Sequence, residues 1–243
     1  GIQGGIGTVG VLDGSLLKIS GSLGAFMAVG IDAGSLGSLN VEDSTVWVES
    51  EGGASLGIGV NGGIGTLNVM EGGVVHVQST SAAGNLQIGD GGGTGFAIFD
   101  VDSKLEMAGA RGYVGIGGMG GTGQAILDGA AWTFVHSEDS GIAVGSNGSN
   151  AKYSSGNGKL YVSRSTIDMK ADGGSNLVVG AGTGSNGYLQ VSAGSIVDMN
   201  GDDDSGAGGI LAVGSAGATS ATAIFEGNGT RLTGVDYATI GYV

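Results

Sequence analysis

The sequence from Gly59 to Val77 reads GVNGGIGTLNVMEGGVVHV: a glycine-rich turn, a short apolar-polar-apolar run, a second glycine turn and another such run. The chain opens on the same phrase, GIQGGIGTVGVLDGSLLKI, over residues 1–19. Within each run, apolar residues recur at every second position, as they do along a strand with one buried face. The stretch therefore predicts short β-strands joined by tight glycine turns.

Copies of this phrase account for nearly the whole chain. Each copy is marked by an apolar residue, most often Ile or Val, followed by glycine, and from Gly1 onward the marker glycines follow at intervals of 29, 29, 30, 28, 28, 35, 34 and 27 residues. A regular period of this size indicates a solenoid or another repeat architecture. We place eight coils in a single β-solenoid domain over residues 1–243, starting near residues 1, 30, 59, 89, 117, 145, 180 and 214, with a ninth beginning at 241. We expect this to be an excerpt of a longer chain.

Three strand patterns occur in each coil, and no window shows a helical period. Three strands and three turns in about 29 residues predict an all-β fold, a parallel β-helix in which equivalent strands stack into long sheets. A propeller blade would need four strands and about 40 residues. Because parallel crossovers are almost always right-handed, we expect right-handed coiling.

The middle residue of each strand is predicted to point outward, so that these residues form columns along the solenoid. The first-strand column is mostly small and suits close packing against another surface or simply a tight coil: Ala28, Gly57, Gln87, Gly115, Ala143, Val178, Ala212 and Thr239. The third-strand column is polar and of mixed charge: Lys18, Trp47, His76, Glu106, Thr133, Asp168 and Asp198.

The composition excludes several functional classes. A net charge of −14 disfavours binding to nucleic acid or to an anionic membrane surface. The absence of cysteine excludes a disulfide framework and thiolate chemistry. No apolar run reaches the length needed to cross a bilayer, so we expect no membrane insertion by this segment.

Few residues suggest a binding site. Trp47 beside His76 is a candidate for stacking against a sugar ring, weighed against an incidental exposed Trp. His76 and His136 lie too far apart in sequence to predict a metal site. Asp202, Asp203 and Asp204 resemble the oxygen spacing of a calcium loop, but a glycine falls one place late and Leu211 stands where a bidentate Glu is required. We therefore predict no cofactor and keep calcium at this loop as an alternative to a solvated acidic loop.

Two coils are longer than the others. The sixth carries about seven extra residues within Ser146–Gly158, and the seventh carries about five within Asn200–Gly209. Insertions in solenoids form surface loops, which either bind a partner or reflect tolerated drift.

The repeat unit, most clearly over Ile58–Val77, resembles the passenger repeats of bacterial autotransporters and related secreted β-helix adhesins. The resemblance covers the whole chain and implies an exported protein, extracellular or at the bacterial cell surface. Pectin-lyase-like enzymes share the fold and use clustered Asp, Lys, Arg or His residues on one sheet. Here the eight Lys and Arg are scattered, and the sequence offers no evident acid pair with a basic partner.

The resulting expectation is a non-enzymatic adhesin or stalk segment. Its partners would be other copies of itself or a host or matrix surface, including a glycan. One alternative is a structural protein that forms filaments by end-to-end stacking of coils. Another is a carbohydrate-active enzyme, which a cluster of carboxylates with a Lys or Arg on one sheet would favour.

Overall fold

The computed structural model describes residues 1, 4–146, 155–200, 208–215 and 217–241. Within them every regular element is a strand. These are β1 Ile6–Val11, β2 Leu16–Gly21, β3 Ala25–Ile31, β4 Leu36–Glu42, β5 Thr45–Ser50, β6 Ala54–Val60, β7 Ile64–Met70, β8 Val74–Asp90, β9 Thr94–Phe99, β10 Lys104–Ile116, β11 Thr122–Asp128, β12 Ala131–His136, β13 Asp139–Val144, β14 Asn157–Ser163, β15 Thr166–Ala171, β16 Gly174–Ala181, β17 Asn186–Ser192, β18 Ile196–Asp198, β19 Gly209–Ser215, β20 Ser220–Phe225, β21 Arg231–Thr233 and β22 Val235–Ile240. The described part of the chain has no helix that is long and apolar enough to cross a membrane.

Equivalent strands of successive coils stack in parallel, as predicted. The second strands form an eight-stranded sheet in the order β1-β4-β7-β9-β11-β14-β17-β20. The third strands and the first strands form two further ladders. These two ladders merge into one fourteen-stranded sheet, because β8 and β10 run without a break from the third strand of one coil into the first strand of the next. The parallel β-helix with three strands per coil is confirmed, and the hand of its coiling stays a prediction.

One continuous apolar core runs along the axis of the solenoid. Identical positions of successive coils stack on one another, so that Ile58, Ile88 and Ile116 are register partners and are all fully buried. In the middle of the core, Phe99 packs edge-on against Trp132 with 5.3 Å between ring centroids. Burying each such side chain contributes about 1.5–3 kcal/mol, and no coil can bury its inward face without its neighbours.

The backbone conformation explains why glycine stands at the marker position that opens each coil. Gly117 has a φ of +69°, a region that L-residues with a side chain rarely adopt. A Cβ there would also overlap the carbonyl of Asn157 in the next coil. Its N–H donates to the carbonyl of Ile88 at 2.8 Å, which continues the ladder through the corner. The marker glycines of the second to ninth coils all have a φ between +62° and +77°.

A second glycine in each coil precedes the two buried residues of the second strand, and it is required for a different reason. Gly65 does not have a positive φ, but a Cβ there would overlap the carbonyl of Val29 and the backbone nitrogen of Gly59. Lack of room, and not backbone conformation, therefore requires glycine at this position. The corner is therefore so tight that both glycines lie against the backbone of a neighbouring turn.

Buried serines satisfy the backbone in the turn before the third strand. The Ala130 N–H donates to Ser165 Oγ at 3.0 Å, and the Ser165 N–H donates to Ser195 Oγ at 3.1 Å. The same bond links Ser15 N–H to Ser44 Oγ at 3.0 Å. Each serine belongs to the coil above the donor, so these hydroxyls connect coils where the sheet ladder is interrupted.

Both insertions fall largely outside the described residues. Residues 147–154 of the sixth coil and residues 201–207 of the seventh are not described, so the calcium alternative for Asp202, Asp203 and Asp204 is untested. The register is regular on either side: Thr122 pairs with Asn157 after the first insertion, and Leu177 pairs with Leu211 after the second. Extra residues in these coils therefore leave the stacking of the strands intact.

Candidate functional site

The predicted third-strand column exists as a row of register partners on the outward face of the ladder. Its members, in coil order, are Lys18, Trp47, His76, Glu106, Thr133, Asp168 and Asp198, followed by Thr233. Because adjacent strands lie about 4.8 Å apart, each side chain contacts the next one along the row.

Trp47 lies between two other side chains of this column. Its ring centroid is 4.3 Å from that of His76, with the planes tilted by 44°, and on the other side the Lys18 ammonium lies 5.2 Å from the Trp47 centroid. Lys18 is also paired with Glu49 at 2.9 Å. Both faces of the indole are therefore covered, so a sugar ring would contact its edge or displace the flexible Lys18.

His76 continues the same contact network towards the middle of the solenoid. Its Nδ1 lies 3.3 Å from Glu106 Oε2, and its Nε2 lies 3.3 Å from Gln78 Oε1. The His76 side chain is mostly covered by its neighbours, with 15% of it exposed. Neighbours on both sides of the ring thus fix its orientation, which favours a recognition role over free movement.

A polar groove of about 400 Å³ lies next to this column, where the third strands of the first three coils end. Eight residues line it: Ser20, Gly21, Ser22, Glu49, Ser50, Glu51, Gln78 and Thr80. We call it the third-strand groove. Two carboxylates, one amide and four hydroxyls supply hydrogen-bonding groups, and the aromatic pair borders it because Glu49 follows Trp47 by two residues on the same face.

An acid pair with a basic partner lies further along the same column. Asp168 and Asp198 are register partners on neighbouring strands, and Lys170 Nζ is 2.9 Å from Asp168 Oδ2. The hydrogen bond to Asp168 raises the pKa of the Lys170 ammonium above its usual value. The expectation that the chain offers no such cluster is therefore wrong. Thirty residues separate the two carboxylates in sequence, but one coil of stacking brings them side by side.

The outward face of the second-strand sheet differs in chemistry from the third-strand face. Five of its strands have a fourth outward position, at Glu42, Met70, Asp128, Ser163 and Ser192. The first three outward positions of all eight strands form three rows. The rows are Ile6, Leu36, Ile64, Thr94, Thr122, Asn157, Asn186 and Ser220; Thr8, Ser38, Thr66, Phe96, Gln124, Lys159, Tyr188 and Thr222; and Gly10, Asn40, Asn68, Ile98, Ile126, Tyr161, Gln190 and Ile224. All twenty-four are described, and Lys159 is the single charged residue among them. We call this surface the neutral face.

Aromatic, amide and hydroxyl groups make up the middle of the neutral face. Phe96 is 41% exposed and Ile98 is 40% exposed. The rings of Tyr161 and Tyr188 lie 5.5 Å apart between centroids, and the Tyr188 hydroxyl donates to Gln190 Oε1 at 3.2 Å. A shallow groove of about 140 Å³ runs beside Tyr188. The sequence signal for this face, the outward residues of the second strands read as columns, was missed.

Carboxylates lie along one edge of the neutral face. Four of the eight second strands end at or next to a carboxylate: Glu42, Asp100, Asp128 and Glu226. Asp128 is paired with Arg164 of the next coil through hydrogen bonds from Nε at 2.9 Å and Nη2 at 2.6 Å. These bonds hold the pKa of the Asp128 carboxyl below its usual value. The chain therefore places acidic groups at the border of this face and not within it.

The two histidines occupy opposite environments. His136 is 4% exposed, and both of its ring nitrogens lack a hydrogen-bond partner. Burial lowers the pKa of His136 to about 4, so the ring is neutral at pH 7. Within the described residues, no three His, Cys, Asp or Glu side chains are grouped as metal ligands would be.

The predicted first-strand column is also a row of register partners, from Ala28 to Thr239. Its small residues have a local reason at Gly57. A Cβ at that position would be 3.1 Å from Val60 Cγ1, so the side chain of Val60 folds back over this face. Here the small residue makes room for the chain's own side chain, which supports the tight-coil explanation.

Comparison with protein-family models, with curated proteins and with solved structures finds no match to this chain. The function is therefore argued from the residues of the two outward faces.

Proposed function

We propose that this chain is a non-enzymatic adhesive segment that binds a saccharide on its third-strand face. The observation that carries this proposal is the position of the Trp47–His76 pair beside the third-strand groove. The pair supplies an apolar aromatic edge, and the groove supplies carboxylate, amide and hydroxyl groups on the adjacent row. Sites that bind small polar ligands combine these two kinds of group.

The charge of the groove restricts the ligand. Glu49 is paired with Lys18, and Glu51 adds a second carboxylate to the lining. An anionic sugar would be repelled by Glu51, whereas the hydroxyls of a neutral sugar or the ammonium group of an amino sugar would pair with these oxygens. We therefore propose a neutral or amino sugar as the ligand class.

An oligosaccharide array with neutral, amino and acidic members tests this function. Glu51→Gln and Trp47→Ala should each weaken binding by about tenfold or more, because each removes a direct contact. Thr133→Ala on the same column and Glu42→Gln on the other sheet are matched controls and should bind normally. Absence of binding to any neutral or amino sugar would contradict the proposal. So would Glu51→Gln and Trp47→Ala variants that bind as tightly as the native chain.

The proposal also includes the location of the protein. An acidic chain without cysteine, and with repeats that resemble those of secreted β-helix adhesins, suits a protein outside the cell or at the bacterial cell surface. Stacked coils make a rigid rod that would hold a binding face away from an anchoring point. A filament formed by end-to-end stacking stays a prediction.

A second candidate function rests on Asp168, Asp198 and Lys170. Two carboxylates on one face are the groups that most glycosidases use, one as acid and the other as base or nucleophile. In this function Asp168, held in place by Lys170, would act as the base or nucleophile, and Asp198 would act as the acid. Release of reducing ends from a panel of polysaccharides tests it: the native chain should be active and Asp198→Asn inactive. Trp47 lies 151 positions before Asp198 in the sequence, so the Trp47→Ala variant distinguishes a loss of sugar binding from a loss of catalysis.

A further inference from the structure

We propose that the neutral face is a second, independent binding site, and that its ligand is an uncharged polysaccharide chain. This site lies on a different sheet from the third-strand groove and uses none of its residues. The observation behind it is the chemistry of the twenty-four positions in the three rows of this face, all of them described, which include no carboxylate and one cation, Lys159.

The carboxylates within the strands of this sheet are confined to the fourth outward position, at Glu42 and Asp128, and the three rows hold none. Asp and Glu make up 22 of 243 residues, so an average set of twenty-four positions would hold about two, and outward positions should hold more because the inward ones are apolar. The third-strand face provides the direct comparison. Its described outward rows carry Lys18, Glu49, Lys104, Glu106, Asp168, Lys170, Asp198 and Arg231. The coil therefore tolerates charge at outward positions. The near-absence of charged residues from the neutral face must have a cause other than the structure of the coil.

A ligand that is itself uncharged provides that reason. Burying a carboxylate under a neutral ligand costs free energy, because the carboxylate loses water and gains no opposite charge. Apart from Lys159, the charged groups of this sheet lie along one edge, where Asp128 is paired with Arg164. The face is thus suited to a partner without charge, and this excludes nucleic acid and acidic polymers.

The uncharged groups on the face indicate the kind of neutral ligand. Phe96, Tyr161 and Tyr188 offer aromatic surface, against which the C–H face of a sugar ring packs. Side-chain amides form a ladder beside them, where Asn68 donates to Asn40 Oδ1 at 2.8 Å. A purely apolar partner would leave these amides without partners once they were covered, whereas the hydroxyls of a sugar would pair with them.

The shape of the face favours a polymer. Eight strands at a spacing of about 4.8 Å make a strip about 34 Å long, and three outward positions make it about 13 Å wide. Its deepest feature is the shallow groove beside Tyr188. A single sugar would contact a small part of such a surface, whereas an extended chain would contact many positions at once.

A second copy of this chain fits the face less well. The strip covers about 450 Å² on these dimensions, below the roughly 800 Å² per partner of a stable protein interface. Each copy would also bring a net charge of −14 against the other. Both considerations favour the polysaccharide.

Depletion of the protein by insoluble polymers provides the test, with microcrystalline cellulose and chitin as neutral probes and polygalacturonate gel as the anionic one. Cellulose or chitin should remove the native chain from solution, and high salt should not release it because no ion pair is involved. Tyr161→Ala combined with Tyr188→Ala should weaken binding about tenfold or more. Gln124→Glu, which keeps the shape and adds a charge, should weaken it as well. Gln87→Glu in the first-strand column, which lies outside both proposed sites, is the matched control and should leave it unchanged.

Several results would overturn the proposal. They are no depletion by either neutral polymer, equal depletion of the native chain and the Gln124→Glu variant, and a dimer in light scattering that Gln124→Glu converts to monomer. The last would assign the face to a second copy. Variants of Trp47 and Glu51 affect only the third-strand groove, so this site and the proposed function can fail separately. Equal melting temperatures of all variants would confirm that they are folded.

Discussion

The neutral face and the third-strand face belong to the same coils, yet they differ in almost every outward residue. Inward, both ladders carry the same apolar pairs, such as Leu67 and Val69 in one and Val75 and Val77 in the other, all fully buried. Outward, the three rows of the neutral face hold a single charged residue, and the described outward rows of the third-strand face hold eight. The repeat therefore determines the core and leaves the outer positions free to carry function.

The two faces also use their aromatic residues differently. On the third-strand face Trp47 lies between Lys18 and His76, so a ligand reaches only the uncovered edge of its ring. On the neutral face Phe96 is substantially exposed and has no ring beside it among the aromatic contacts of the described residues. The charged column therefore covers part of its aromatic surface, whereas the neutral face leaves that surface open.

The largest effect should come from a charge in the shared core. Ile88→Asp places an unpaired carboxylate between Ile58 and Ile116, where all three positions are fully buried. We expect a loss of more than about 4 kcal/mol in the free energy of unfolding, and loss of both binding faces together. Circular dichroism and urea unfolding measure it.

Gln87→Asp is the matched control for that substitution. It introduces the same carboxylate one residue earlier on the same strand, at an outward and partly exposed position. It should fold normally. A native spectrum for Ile88→Asp, or unfolding of both variants, would show that the inward and outward assignments are mistaken.

The sequence predicted the fold and two of the outward columns because both follow from a period of two within each strand. Every member of the third-strand column, from Lys18 to Asp198, lies where the alternation placed it. The sequence also predicted tight glycine turns between the strands, but not the positive φ of the marker glycines.

Features that depend on the stacking of coils were harder to predict. Lys170 lies two residues after Asp168, and its pairing with that carboxylate depends on side-chain direction as well as spacing. The third-strand groove depends on how the corners after Gly21 and Glu51 diverge, which composition does not determine. The neutral face was available from the sequence, but its significance emerges from the comparison with the third-strand face.

Lowering the pH should have an intermediate effect on the free energy of unfolding, because His136 is buried in the third-strand ladder. His76, in contrast, lies on the outward side of the same ladder. The pKa of His136 is about 4 in the folded chain against 6.5 as its ordinary value, so between these values the unfolded chain binds a proton that the folded chain excludes. Stability is thus complete above about pH 6.5 and falls towards pH 4, by roughly 3 kcal/mol from this residue. Urea unfolding at both ends of this range measures the loss.

His136→Leu isolates this contribution from the titration of the carboxylates. The substituted chain should lose less stability on acidification than the native chain, by roughly that same 3 kcal/mol. His76→Gln, the control at the surface, should keep the acid sensitivity of the native chain. If His136→Leu and the native chain lose equal stability between neutral pH and about pH 4, buried His136 does not cause the effect.

The smallest effect should come from the charged edge of the neutral face. Arg164 and Asp128 form a two-fold hydrogen-bonded ion pair between coils, but their side chains are 57% and 44% exposed, so water and salt screen the attraction. Arg164→Gln should therefore lower the free energy of unfolding only slightly, and the difference should shrink further in high salt. Binding to neutral polymer should not change, because the pair lies beside the face and not on it. A large loss of stability would mean that the edge charges hold the coils together. A loss of polymer binding at unchanged stability would mean that the neutral face extends past its acidic border.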